Sequence, residues 1–113
     1  MLLKVEKGEI TEVLCATTIT TIYYLIRKSL NKEEAKRSID LILSLFDIAP
    51  VNRTVLETAR KLNFNDFEDG VIYASAIHSN CDVLITRNVR DFKANEIPIY
   101  EPAEFLKILD LKI

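Results

Sequence analysis

Two clusters of oxygen-bearing side chains stand close together in the second half of this chain. The first is Asp66-Phe67-Glu68-Asp69, and the second is Thr86-Arg87-Asn88-Val89-Arg90-Asp91-Phe92. Carboxylate and amide oxygens are hard ligands that suit Mg²⁺ or Mn²⁺ far better than zinc. Between the clusters, Gly70 to His78 reads as a helix and Ser79-Asn80-Cys81-Asp82 as a turn. Val83-Leu84-Ile85 then reads as an apolar strand of the kind covered on both faces. The acids therefore head a helix and follow a strand. In a parallel α/β sheet both places lie on one rim, where ligand sites form.

Each acid also has a plainer role. Asp66 can cap the helix, with Asp69 three residues on in a box-like arrangement, and Glu68 and Asp69 favour the positive end of the helix dipole. Capping accounts for Asp66 and Glu68 but less well for Asp69. Asp69 shares a helical stripe with Ile72, Tyr73 and Ala76, while Phe67, Val71, Ala74 and His78 form an opposite apolar stripe. A helix apolar on both sides is sandwiched, so Asp69 is expected to be partly shielded. A shielded carboxylate wants a cation. Asn88 and Asp91 also suit an ordinary turn. His78 reads as a core histidine rather than a catalytic base, and Tyr23 and Tyr24 as packing residues rather than a base-stacking platform.

Asp69-Gly70-Val71-Ile72-Tyr73-Ala74-Ser75-Ala76, followed by Leu84-Ile85-Thr86-Arg87-Asn88-Val89-Arg90-Asp91-Phe92, resembles the C-terminal half of a PIN domain. That is the fold of metal-dependent ribonucleases, including the VapC-type toxins of prokaryotic toxin–antitoxin pairs. The similarity runs from about Gly8 to about Leu106. It implies a three-layer α/β fold, a PIN-like parallel sheet flanked by helices, in a single domain over residues 1–113. It also implies metal-assisted phosphodiester hydrolysis with Mg²⁺ or Mn²⁺. On this resemblance Asp69 and Asp91 would hold the metal, with Asn88 in the same strand-end region and Asp66, Thr86 and Thr21 in support. Arg87, Arg90 and Lys93 would contact the RNA backbone, although a solvated loop explains them equally well.

Two departures accompany the resemblance. Family members begin with a central strand carrying a catalytic aspartate and then a helix or two, and this chain has no such segment. It reads as N-terminally truncated. A glutamate often found in the helix after the second strand is replaced by Thr21, which can hold water or a phosphate oxygen but adds no negative charge. Loss of a central strand would expose sheet edges, which invite pairing. The chain is therefore expected to be a homo-oligomer or to rearrange so as to close the gap.

The remaining elements must position these clusters. Met1 to Gly8 reads as the tail of a helix, with Lys4 and Lys7 at its end and Gly8 as its cap. Ile10 to Thr17 reads as a strand with Val13, Leu14 and Ala16 in the core. Thr18 or Thr20 can cap the next helix, which carries Ile22, Leu25 and Ile26 as a stripe. Asn31 starts a helix packing through Ile39, Ile42, Leu43 and Phe46. Ile48 to Val51 is a short strand, and Asn52 caps a helix through Val55, Leu56, Ala59 and Leu62. Lys93 to Glu96 is a loop, Ile97 to Tyr100 an edge strand because of its proline, and Pro102 opens a final helix. Alternation of helices and strands argues for a parallel sheet.

Composition narrows the class. At 113 residues the chain has about one domain's length, and 49% hydrophobic with 28% charged residues fits a globular protein. No apolar run approaches the roughly 18–20 residues of a membrane span, and a cytoplasmic protein without membrane contact is expected. Cys15 and Cys81 read as reduced core residues. A formal charge of −2 gives no global attraction to nucleic acid, but a local basic rim with a metal would still serve RNA. The function expected is an endoribonuclease toxin with an antitoxin protein as partner. The alternative is an inactive PIN remnant acting as a protein-interaction module. A response-regulator-like domain ranks last, because Lys93 is poorly placed for it.

Overall fold

A computed structural model describes residues 1–92 and 96–112. In chain order it contains β1 (Leu2–Glu6), β2 (Glu9–Cys15), α1 (Ala16–Ser29), α2 (Lys32–Leu45), β3 (Asp47–Ala49), α3 (Arg53–Leu62), α4 (Phe67–His78), β4 (Val83–Ile85), a 3₁₀ turn at Val89–Asp91, β5 (Ile99–Tyr100) and α5 (Pro102–Lys112). The strands form one five-stranded sheet in the order β3-β2-β1-β4-β5. β2 and β3 are parallel, as are β4 and β5, while β1 runs antiparallel to both of its neighbours.

β1 is the largest departure from expectation, because Met1 to Gly8 is not a helix tail. Leu2 to Glu6 is the central strand, and it joins β2 through a two-residue hairpin at Lys7-Gly8. Both hairpin residues have positive φ, 51° for Lys7 and 82° for Gly8. That pair of left-handed residues matches the twist of a tight hairpin. Asp82 fixes the other side of β1. Its carboxylate accepts from Val5 N–H at 2.7 Å, and its own N–H donates to Leu3 O at 2.7 Å. The sheet is therefore continuous, with β1 seated between β2 and β4.

The core lies between the sheet and α4. Leu2, Val13, Ala49 and Leu84 meet Tyr73 and Ala76 of α4, with Phe92 and Ile97 closing the cluster. Cys15, Val55, Ala59, Val71 and Ala74 form a second cluster between α3, α4 and the end of β2. Gly70 permits the close crossing of these helices, since a Cβ there would lie 3.4 Å from the Ala59 carbonyl oxygen. Cys15 and Cys81 are free and buried. On the opposite face of the sheet, Leu3, Ile10 and Ile85 floor a groove of about 890 Å³ bordered by Leu45, Phe105 and Leu106.

Three smaller expectations also change. α1 begins at Ala16 with Cys15 at its cap position and no capping side chain, so Thr18 and Thr20 lie inside the helix. Thr20 instead bonds back to Thr17 O at 2.8 Å, as hydroxyls within helices commonly do. His78 is exposed rather than in the core, and its Nε2 lies 2.8 Å from Thr58 Oγ1. The strand expected over Ile97–Tyr100 is confined to Ile99–Tyr100 at the sheet edge. The expected loop at Lys93 to Glu96 falls mostly outside the described residues.

Candidate functional site

The acid-headed helix starts as its sequence dictates. Asp66 adopts extended backbone at the cap position of α4, and its Oδ1 accepts from Glu68 N–H at 2.9 Å. This bond satisfies one of the free donors of the first turn and leaves Glu68 and Asp69 in that turn. Gly70, Val71 and Tyr73 to Ala76 are buried just beyond. The packing of α4 against both the sheet and α3 thus sets the azimuth of Asp69, which is half-buried as the two apolar stripes required.

The second cluster is anchored by Phe92. Its ring is buried, edge-on to Phe64 with centroids 5.6 Å apart and 6.5 Å from Tyr73. This places the preceding turn, Val89–Asp91, against the head of α4. Thr86 organises the exit of β4. Its hydroxyl accepts from Asn88 N–H at 3.1 Å, and its own N–H donates to Tyr100 O at 3.0 Å.

The two clusters converge electrostatically. The Asp69 carboxyl titrates above its ordinary value, first because burial disfavours its charge, then because Asp66, Asp91 and Glu68 are near it. Of the two strand-exit oxygens left open by sequence, Asp91 is thus a charged neighbour of Asp69. Asn88 is exposed, and its described bond is made by its backbone.

Thr21 reaches the same place from α1. Its hydroxyl lies 3.1 Å from Glu68 Oε1 and 3.2 Å from Thr17 O. Glu68 is the neighbour that sequence reasoning passed over, because its dipole role was sufficient. Only the approach of α1, distant in the chain, reveals its second contact. Arg87 and Arg90 are exposed and form no ion pair among the described residues. Lys93 lies outside the described residues. The apolar groove touches this region through Thr86 and Arg87 and is lined by none of the clustered acids.

The donor set tests whether a divalent ion suits this rim. Burial and then the neighbouring acids disfavour the charge on Asp69, and a cation beside it would relieve that cost. Among the described residues, no three His, Cys, Asp or Glu side chains converge as a ligand cage. Mg²⁺ commonly keeps several waters and takes one or two carboxylates from the protein. The rim fits a hydrated ion of that kind, not an all-protein cage. β1, running antiparallel, brings Met1 and Leu2 to this end of the sheet rather than a carboxylate.

A family model for the PIN domain matches residues 2–90. Among solved structures, VapBC-1 from nontypeable Haemophilus influenzae is similar, with a TM-score of 0.67 and 21% identity over 80% of this chain and 74% of that one. This is a likeness of fold. No curated protein sequence matches the chain.

Proposed function

The chain belongs to the PIN domain family, and on that premise we propose that it is a single PIN-like domain acting as a metal-dependent endoribonuclease of the toxin type. The observation that carries this reading is the place of Asp91 beside the partly buried Asp69, whose carboxyl is raised first by burial and then by Asp66, Asp91 and Glu68. A divalent ion bound there would supply an activated water and charge stabilisation at the scissile phosphate. Asp69 and Asp91 would hold Mg²⁺ or Mn²⁺. Asp66 keeps the head of α4 in place, Thr86 shapes the strand exit with Asn88, and Thr21 steadies Glu68. Arg87 and Arg90, with Lys93 beyond them, would meet RNA phosphates as sequence-independent contacts.

Likeness to VapBC-1 supports a protein partner of the antitoxin kind, and a homo-oligomer is compatible with the exposed leucines of α1 and α2. No described helix is long and apolar enough to cross a membrane, and we place the protein in the cytoplasm on the family reading. One observation favours a second reading, a non-catalytic PIN remnant that binds a protein: the central strand contributes no carboxylate to the rim. A manganese-dependent RNA cleavage assay separates the two. Cleavage that Asp69→Asn reduces at least about 100-fold is expected for a lost metal ligand. Equal cleavage by both proteins would sink the nuclease reading.

A further inference from the structure

We infer that the outer cleft of α3 docks a short acidic, leucine-bearing segment of a partner protein. The cleft has a volume of about 710 Å³, is floored by Val51 and Leu56, and is edged by Arg53, Arg60 and Lys61. Val55 and Ala59 turn the other side of the helix into the second core cluster, so Arg53, Leu56 and Arg60, at offsets of three and seven, share the solvent face. None of the clustered acids of the rim lines the cleft, and the inference does not rest on the nuclease reading.

Charge complementarity chooses the occupant. Glu57 follows Arg53 by four positions and precedes Arg60 and Lys61 by three and four, the spacings at which helical ion pairs form. Even so, none of the three cations makes an ion pair among the described residues. Three cations and one carboxylate leave the cleft at +2, on a chain whose formal charge is −2. Between those charges Leu56 is 42% exposed, which asks for an apolar side chain beside the anions. Arginine forks match carboxylates, and arginine clusters hold acidic motifs in many complexes. RNA suits the cleft less well. No aromatic ring lines it among the described residues to stack a base, and Glu57 would stand against a continuous phosphate chain. A peptide can set an N–H or a neutral side chain opposite Glu57.

Fluorescence anisotropy without divalent metal tests this with a labelled synthetic peptide in which Glu pairs alternate with Leu at helical spacing. Its companions are the same peptide with Gln for Glu, the same with Ser for Leu, and a labelled oligouridylate. The acidic leucine peptide is expected to bind the unaltered chain with Kd below about 1 mM. The Gln peptide should bind about 10-fold more weakly and the Ser peptide about 5-fold more weakly. Arg53→Gln combined with Arg60→Gln should weaken binding about 10-fold, and Leu56→Ser about 5-fold. Arg27→Gln combined with Lys28→Gln on α1 should leave it unchanged. All five positions are exposed and outside both core clusters, so each variant is expected to melt as the unaltered chain does. Equal losses in the α1 and α3 pairs overturn the site, since any basic surface would then serve. Equal affinity for the acidic and Gln peptides overturns the charge argument. An oligouridylate that binds more tightly than the peptide and loses affinity in the α3 pair makes the cleft a nucleic-acid surface and overturns the peptide assignment. No binding of the acidic peptide at about 1 mM, a free energy near the bottom of the measurable scale, overturns the inference as a whole.

Discussion

α1 and α4 are both rich in apolar residues, yet they end in opposite environments. α4 buries Gly70, Val71, Tyr73, Ala74, Ser75 and Ala76, while α1 has no buried residue. α4 is pressed between the sheet and α3. α1 touches α2, the end of β2 and a short stretch of α4, leaving Tyr24 at 67% and Leu25 at 59% exposure. The difference shows that apolar composition does not decide burial, because the number of neighbouring layers does. It also divides the candidate site, with Asp69 and Glu68 on the rigidly packed helix and Thr21 on the loosely packed one.

The largest expected effect sharpens this contrast. Tyr73 is fully buried, and its hydroxyl accepts from Ile97 N–H at 2.8 Å. Tyr73→Ala should destabilise the fold by about 3–5 kcal/mol, as truncation of a large core side chain does. Leu25→Ala on α1 should change stability by no more than about 0.5 kcal/mol. Urea midpoints of the two variants check this. Similar losses would mean that α1 is covered in solution and that the contrast is wrong.

What was legible in the sequence follows the same division between local and distant causes. Asn31, Asn52 and Asp66 are caps, as read, because a cap bonds its own first turn. α4 and β4 were legible because their patterns are dense and their ends are polar. β1 was not. Leu2-Leu3-Lys4-Val5 is too short for its period to choose between helix and strand. The left-handed residues that end helices also make tight hairpins, so Lys7-Gly8 was ambiguous. Pairing with both β2 and β4 decided the matter, and those partners are not sequence neighbours. The same holds at the site. The nearness of Asp91 to Asp69 was readable from the helix head and strand exit, whereas the Thr21–Glu68 contact depends on how α1 docks.

An intermediate effect compares matched caps in the two regions. Asn52 Oδ1 accepts from Val55 N–H at 3.0 Å, and Asn31 Oδ1 accepts from Glu34 N–H at 2.8 Å. Loss of such a cap costs about 1 kcal/mol. Asn52→Ala should appear in global stability, because α3 buries Val55 and Ala59 in the second core cluster. α2 buries Ala35 alone, so Asn31→Ala should mainly raise amide exchange within α2 through local opening. Equal falls in the global midpoint would show that the helices α1 and α2 are as cooperative with the core as α3 is.

The smallest effect lies at the rim, where the packed helix meets solvent. Asp69 titrates above its ordinary carboxylate value because of burial and then of Asp66, Asp91 and Glu68. A carboxyl whose pKa is raised by folding binds more protons folded than unfolded over the interval between the two values. Its favourable contribution is therefore fully present below the ordinary value of 3.8 and is lost as pH rises through the raised one. Asp69→Asn escapes this loss and should become the more stable protein as pH rises. Because the group is partly solvated, screening limits the gain to at most about 0.5 kcal/mol. Melting curves of both proteins between about pH 3.5 and about pH 7.5 check the sign. Added Mn²⁺ should reverse the order at neutral pH, since an ion that binds the folded carboxylate stabilises the unaltered chain alone. An advantage for Asp69→Asn that persists unchanged in saturating Mn²⁺ would mean that the crowded acids strain the head of α4 without holding an ion, and would move the packed half of the molecule from chemistry to structure.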